Sequence, residues 1–428
     1  MTTTAFSRGN GLRYGLLGLP LAFVALPLYV ILPNHYAREF GMPLATLGTI
    51  LLGARLFDAL IDPLLGRVSD QLFARSARAV LAFGAVAALL LALGFALLFF
   101  PLASVVKTPG ALIVWVSVML MLTYAAYSAL SVSHQSWGAM LGGDEAQRSR
   151  IVAWREGLGL VGVVLASVTP VALGLPAMTA IFFIALAGGF WAWTRATRPL
   201  ATSDQRSGLS AVWRPFASAG FRRLLAVFML NGIASAVPAT LVLFFIQDRL
   251  QAPAAMEPLF LASYFLSAAL SIPLWLAVVK RQSLATAWLC GMLLAIAVFG
   301  WATQVGAGQT GAFLLICALS GVALGTDLAL PGALLAGLIQ ANGDSGLAEG
   351  AYFGWWNFAT KLNLALSAGL ALPLLGAFGY APGVRDPQAL SALVLAYCVL
   401  PCLLKLVAAL GLYFFILKPP NLRKGAVP

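Results

Sequence analysis

Charge is scarce in this chain. Only 9% of its 428 residues are Asp, Glu, Lys or Arg, where a soluble domain carries about a quarter. So little polar surface excludes a water-soluble globule and makes lipid the solvent for most of the protein. Histidine is nearly absent: His35 and His134 are read as helix-end residues, and neither stands at metal-ligand spacing from another ligand. The four cysteines, Cys290, Cys317, Cys398 and Cys402, all sit in apolar runs, where a thiol acts as a small packing group. Neither a metal nor an organic cofactor is expected. The sequence also lacks a phosphate-cradling Gly-x-x-x-x-Gly-Lys loop, a His-Glu-x-x-His pair and a nucleophile-elbow serine. Those absences argue against an ATP-driven pump and against an enzyme of the hydrolase or metallopeptidase kind. The formal charge of +12 is not gathered into a basic patch interleaved with aromatics, so nucleic acid is not an expected partner.

What the chain has instead is hydrophobic length. Hydrophobic residues make up 61% of it, and the mean hydropathy is +0.93. Apolar runs fall near 14–33, 45–65, 79–101, 111–133, 151–173, 177–194, 224–246, 256–278, 284–304, 311–336, 350–376 and 389–417. A helix needs about 20 residues to cross roughly 30 Å of hydrocarbon, and barrel strands would be shorter and alternating. Arg8 and Arg13 precede the first run, which has full membrane length and no clear cleavage site, so it reads as a span and not as a signal peptide. The expected fold is an all-α membrane protein of twelve transmembrane helices.

Basic residues give the expected orientation. With the N-terminus inside, cytoplasmic segments carry Arg67, Arg75, Arg78, Arg148, Arg150, Arg195, Arg198, Arg206, Arg214, Arg222, Arg223, Lys280, Arg281, Lys418, Arg423 and Lys424, besides Arg8 and Arg13. Outside loops hold Arg38, Lys107, Arg249 and Arg385. This bias places both termini in the cytoplasm of a cell with the protein in its inner membrane. The longest polar stretch lies mid-chain. It divides the sequence into a six-helix bundle at 1–194, a basic cytoplasmic linker at 195–223, and a second six-helix bundle with a cytoplasmic tail at 224–428. Two pseudo-symmetric six-helix bundles are the layout of the major facilitator superfamily, whose halves are repeats. Asp62-Pro63 in the second run and Ile272-Pro273 in the eighth, 210 positions apart, are a faint echo of duplication.

Ionisable residues inside the apolar runs are the candidates for function, because a charge at the bilayer centre costs about 2.5–3.5 kcal/mol on insertion scales. Arg55, Asp58 and Asp62 are spaced by three and four, so they share one helix face. Two carboxylates and one guanidinium leave one negative charge, a vacancy that a proton or metal cation fills. The competing reading is an ion cluster that only locks helices together. Gly66, Ser69 and Asp70 follow at the cytoplasmic end, where a gating role is expected. In the eleventh run Asn357, Thr360 and Lys361 share a face, with Trp355 and Trp356 just before them. Lys361 calls for a carboxylate or an anionic ligand, with Asp327, Asp58 and Asp62 as candidate partners. Arg155 and Glu156 are read as the start of the fifth helix, either reaching a cavity or anchoring at the interface. Lys405 is read as snorkelling or pairing locally.

These residues resemble a known family. Arg55…Asp58-Ala…Asp62-Pro63…Gly66…Ser69-Asp70 is similar to the second-helix signature of the glycoside–pentoside–hexuronide:cation symporters, the melibiose-permease-like branch of the superfamily. Trp154-Arg155-Glu156-Gly157 and the stretch from Glu349-Gly350-Ala351-Tyr352-Phe353-Gly354 through Lys361 to Gly379-Tyr380 resemble it too. The resemblance implies a cation site at Asp58 and Asp62, and a substrate cavity shaped by Arg155 and Lys361. Three positions depart from the pattern. Ser128 stands where the fourth-helix aspartate would be, Ala22 replaces the first-helix aspartate, and Gly337 a tenth-helix acid. Losing a cation carboxylate tilts the expected coupling ion from sodium towards protons.

The expectation is therefore a monomeric secondary transporter working by alternating access. Its partners would be the lipid bilayer, a coupling cation (H+ or Na+) and a small polar solute such as a sugar or glycoside. The substrate cavity would use Arg55, Ser128, Arg155, Asp327, Trp356, Asn357 and Lys361. The alternative is a carrier of a lipid-like or amphipathic substrate, or an exporter, on the same fold.

Overall fold

The computed structural model describes residues 7–199, 212–380, 383 and 386–418. Most of the central linker with Arg206, and Arg385, Arg423, Lys424 and the C-terminal tail, lie outside the described residues, as does the side chain of Arg38. Among the described residues every regular element is helical. Ten helices are long and apolar enough to cross a membrane: α1 (Arg8–Tyr29), α3 (Ala77–Phe99), α4 (Pro109–Met140), α5 (Glu145–Pro170), α6 (Ala172–Thr194), α7 (Ala219–Arg249), α8 (Glu257–Arg281), α9 (Leu284–Ala302), α10 (Thr310–Ala341) and α12 (Pro387–Leu417). Two more, α2 (Leu44–Arg75) and α11 (Glu349–Ala377), have 32 and 29 residues. At 1.5 Å per residue they are roughly 48 and 44 Å long, ample to span. Charges inside the run set α2 apart from its neighbours, and those charges are the candidates for function.

Local chemistry explains the boundaries. Ser76, Asp144, Ser218, Ser283 and Asp386 each accept a hydrogen bond from a backbone N–H in the first turn of α3, α5, α7, α9 and α12, which satisfies donors a helix start leaves open. Pro109 opens α4, where its missing N–H costs nothing. Helices α5 and α6 form a continuous run to Thr194, kinked at Gly174 (φ 82°, ψ 171°) between Pro170 and Pro176. That backbone conformation suits glycine alone. The kink lets α6 begin earlier than the expected 177, giving it 23 residues. A π-turn at Pro27–Ile31 overlaps the end of α1, and another at Phe245–Arg249 closes α7.

The chain divides into two compact units. The first comprises Met1–Ala217 together with Ile339–Phe358, and the second Ser218–Leu338 together with Ala359–Pro428. Buried Leu17, Phe23, Leu91, Phe95, Trp137 and Phe182 form part of the core of the first unit. Helices α1 and α5 meet through glycines there: a Cβ on Gly162 would lie 2.1 Å from the Leu19 carbonyl oxygen. In the second unit the core includes Leu241, Phe245, Phe260, Phe313 and Tyr397, and Gly321 brings α10 against the Tyr264 carbonyl of α8 in the same manner. Lipid tails are as apolar as leucine, so helices in a membrane gain little from hiding apolar surface from one another. Close backbone packing across small residues takes over that role.

Gly162→Val should therefore overpack the α1–α5 contact and lower the melting temperature of the purified protein, with about 1–3 kcal/mol lost. Gly48→Ala, at a helical position with nothing within 4 Å of a new Cβ, should hold or raise the melting temperature.

Candidate functional site

Helix α2 carries two opposed stripes. Leu52, Leu56, Leu60, Leu64 and Val68, four residues apart, are exposed, while Asp58, Asp62, Arg67, Ser69 and Asp70 are buried. The apolar stripe suits lipid and turns the acids inward. Asp62 is wholly buried and Asp58 is 5% exposed. The Ser128 hydroxyl on α4 donates to Asp58 Oδ1 at 2.8 Å. Asp58 is thus met from α4 by a neutral hydroxyl donor. Half-buried Arg55 lies one turn outward. Its guanidinium sits 4.2 Å from the centre of the Tyr29 ring, in the π-turn at the end of α1, and 6.0 Å from that of Tyr124 on α4. Aromatic faces attract such a cation, so α1, α2 and α4 converge on this cluster.

The residues near the C-terminal end of α2 engage the start of α11. Asp70 accepts from the backbone N–H groups of Gly350 and Ala351 at 2.6 and 2.9 Å. A carboxylate on an open helix N-terminus is held by charge-assisted hydrogen bonds and the helix dipole. Gly66 makes room for it: a Cβ there would stand 2.0 Å from the Gly350 carbonyl oxygen. One turn further along, Gly354 faces the Asp62 carbonyl, 2.6 Å from where its own Cβ would be. The Ser69 hydroxyl is buried with no hydrogen-bond partner. Beside this contact, Asp344 accepts from Arg214 Nε and the Tyr352 hydroxyl, both at 2.8 Å. Trp355 Nε1 donates to the Val212 carbonyl at 2.9 Å. The described end of the linker is thus tied to the α10–α11 turn within the first unit.

Several expectations change. Helix α5 starts at Glu145, capped by Asp144, so Arg155 and Glu156 lie about three turns inside it and not at its start. They are partly buried, and Arg155 donates to Glu156 Oε1 through Nε at 3.0 Å and through a terminal nitrogen. His134 is not at a helix end either. It is fully buried within α4, its Nε2 2.8 Å from the Tyr14 carbonyl oxygen and its ring stacked on Tyr14. Trp356 is buried and Asn357 half-buried, both in the first unit; Lys361 is half-buried in the second.

Asp327 and Lys405 depart furthest from expectation. Lys405 neither snorkels nor pairs locally: it is 6% exposed and forms an ion pair with Asp327, 78 positions away, at 3.0 Å. Asp327, one of the three partners expected for Lys361, is therefore bound to another lysine. Asp327 also accepts from Asn231 at 3.0 Å, Ser235 at 3.3 Å and the Trp288 indole at 2.8 Å. Lys405 completes the cluster by donating to Asn231 Oδ1 at 2.8 Å and Ser235 Oγ at 3.0 Å. This network joins α7, α9, α10 and α12 and lies on the wall of a cavity of about 200 Å³. The sequence signal for it was one lysine in the apolar run 389–417 and one carboxamide in the run 224–246. Among the described residues no three His, Cys, Asp or Glu side chains converge into a metal-binding group.

A multi-pass helical protein with ionisable side chains held inside its spans is a membrane transporter in class. The chain belongs to the MFS/sugar transport protein family, whose sequence profile matches residues 13–418; it is a major facilitator superfamily transporter and not an enzyme. A search of curated proteins gives no match. Among solved structures the fold is similar to a bacterial homologue of the iron transporter ferroportin in an outward-facing state (TM-score 0.74, 15% identity, covering 95% of this chain and 98% of that one). It is also similar to the E. coli fucose:proton symporter (TM-score 0.67, 16% identity, 97% and 100%). The human organic anion transporter MFSD10 is a further likeness (TM-score 0.62, 16% identity, 94% and 97%).

Removing one partner of a buried ion pair leaves an uncompensated charge, a loss of about 3–5 kcal/mol. Lys405→Met alone should therefore lower the melting temperature sharply, and Asp327→Asn combined with Lys405→Met should recover most of it in thermal unfolding of the reconstituted protein.

Proposed function

We propose that the protein is a cation-coupled symporter of a small polar solute, in the melibiose-permease-like branch of its superfamily. The observation that carries this reading is the buried pair Asp58 and Asp62, one turn apart on α2, with the Ser128 hydroxyl on Asp58. Two carboxylates held this close in a low-dielectric interior favour taking up a positive charge. A proton or sodium ion bound there neutralises the face and permits the occluded states of alternating access. With a hydroxyl replacing the third carboxylate, fewer charged ligands remain for a metal cation, which favours the proton. The fucose:proton symporter, on the same fold, is by its name a proton-coupled sugar carrier, which supports a sugar or glycoside as substrate here.

Arg55, Arg155, Trp356, Asn357 and Lys361 are the proposed substrate contacts. Ala22, half-buried on α1, offers a sugar hydroxyl no acceptor where the family resemblance expects an aspartate. Asp327, committed to Lys405, takes a structural role in place of a substrate contact. Gly66, Ser69 and Asp70 serve as a cytoplasmic gate, because the grip of Asp70 on the start of α11 has to loosen before that end of α11 moves. The proposed organisation is a bundle at 1–194, a cytoplasmic linker at 195–223 and a bundle at 224–428, monomeric in an inner membrane with both termini in the cytoplasm.

Uptake into proteoliposomes carrying an internal pH-sensitive dye tests the reading, with sugars, glycosides and uronates each run with and without sodium. Wild type should accumulate one solute class with proton or sodium movement. Asp62→Asn should reach the membrane folded and lose that accumulation. Normal accumulation by Asp62→Asn would overturn the coupling assignment.

A further inference from the structure

The cavity in the second unit has a chemistry of its own. It lies among α7, α8, α9, α10 and α12, and measures about 200 Å³. Its walls are mostly apolar, with Phe260, Tyr264, Phe265 and Phe299 among them, and its polar lining includes Ser235, Ser320, Asp327 and Lys405. Such a mixture, aromatic walls with a few fixed polar groups, is that of a small-molecule site.

The charges on the wall are not on offer to a ligand. The ammonium of Lys405 has three hydrogens, and they go to Asn231 Oδ1, Ser235 Oγ and Asp327 Oδ2. Asp327 Oδ1 accepts from Asn231 and Trp288, and Oδ2 from Ser235 and Lys405. Four donors fill the four lone-pair positions of a carboxylate. The network is closed on itself and neutral as a whole, so it calls for neither a cationic nor an anionic guest. Ser320 differs. It lines the cavity, is 7% exposed, and its hydroxyl is buried with no hydrogen-bond partner. A buried hydroxyl left unpaired is costly, and a partner in the cavity would remove that cost.

We infer that this cavity binds a small uncharged molecule, aromatic or alicyclic, bearing a single hydroxyl that pairs with Ser320. A polyol fits poorly: besides Ser320 the lining carries the hydroxyls of Tyr264 and Tyr397 on an otherwise mostly apolar wall, so most hydroxyls of a sugar would go unpaired. The site therefore selects against the solute class proposed for transport, and the inference stands without that proposal.

The test uses the full chain in lipid nanodiscs, with 4-ethylphenol, ethylbenzene and glucose as probes. Affinity is read by calorimetry, and location by the rate at which methyl methanethiosulfonate modifies Cys402. Cys402 lines the cavity, and Cys290 is exposed elsewhere. Wild type should bind 4-ethylphenol roughly 2–10-fold more tightly than ethylbenzene, the worth of one hydrogen bond, and glucose should not bind there. The phenol should slow modification of Cys402 and leave Cys290 untouched. Ser320→Ala, a change of one atom that keeps the helix, should bring the two aromatic probes to equal affinity. Ala239→Phe, which projects a ring from the cavity wall, should abolish binding of both. Equal affinities in wild type, an unchanged preference in Ser320→Ala, or protection of Cys290 as strong as that of Cys402 would overturn the assignment.

Discussion

An ionised side chain inside hydrocarbon must have its charge met by the protein, and the arrangement of this transporter follows from how each such charge is met. Asp58 takes the Ser128 hydroxyl, Arg55 lies against two tyrosine rings, and Arg155 is neutralised by the adjacent Glu156. Asp327 and Lys405 enclose one another within a ring of neutral donors and acceptors. These solutions differ in what they leave available. The Asp327–Lys405 cluster is closed and ties four helices together, as a permanent structural element does. The α2 face carries two buried acids one turn apart, with the Ser128 hydroxyl on Asp58, and is proposed to take up a cation. On that difference rests the proposal that the α2 acids couple transport while the Asp327–Lys405 pair is structural.

Backbone proximity is the second constraint. Where α2 meets α11, Gly66 and Gly350 bring the chains so close that a side chain on either would strike a carbonyl oxygen. Only at such a distance does the Asp70 carboxylate reach two N–H groups of the next helix start. One interaction needs the other: the glycines allow the approach, and the helix N-terminus supplies the charge that rewards it. The same use of small residues recurs at Gly162 and Gly321. The fold of each unit is thereby set by steric complementarity more than by apolar burial.

Much of this was legible in the sequence because helical periodicity is local. The spacing of Arg55, Asp58 and Asp62, set against leucines at 52, 56, 60 and 64, defines the two faces of α2 without any knowledge of its neighbours. The apolar runs gave the spans, and capping residues such as Asp144 and Ser283 account for ends that hydropathy blurs: α5 begins at Glu145, earlier than the apolar run suggests, because its first turns are amphipathic. What was not legible depends on partners distant in the chain. Nothing in the order of residues joins Lys405 to Asp327 and Asn231. Nor does chain order indicate that Ile339–Phe358 packs with the first unit and the remainder of α11 with the second. His134 misled for a related reason. Its polar neighbours suggested a helix end, whereas its ring is consumed by the Tyr14 carbonyl and aromatic stacking.

The central claim is that the buried acids of α2 take up and release the coupling cation. Infrared difference spectroscopy of carboxyl stretching reports this without knowledge of the substrate. Reconstituted protein is cycled between proton-rich and proton-poor buffer, with and without sodium. The account predicts a buried-carboxyl band that responds to the cation and disappears in both Asp58→Asn and Asp62→Asn. A spectrum without such a band, or one that survives both substitutions, would contradict it.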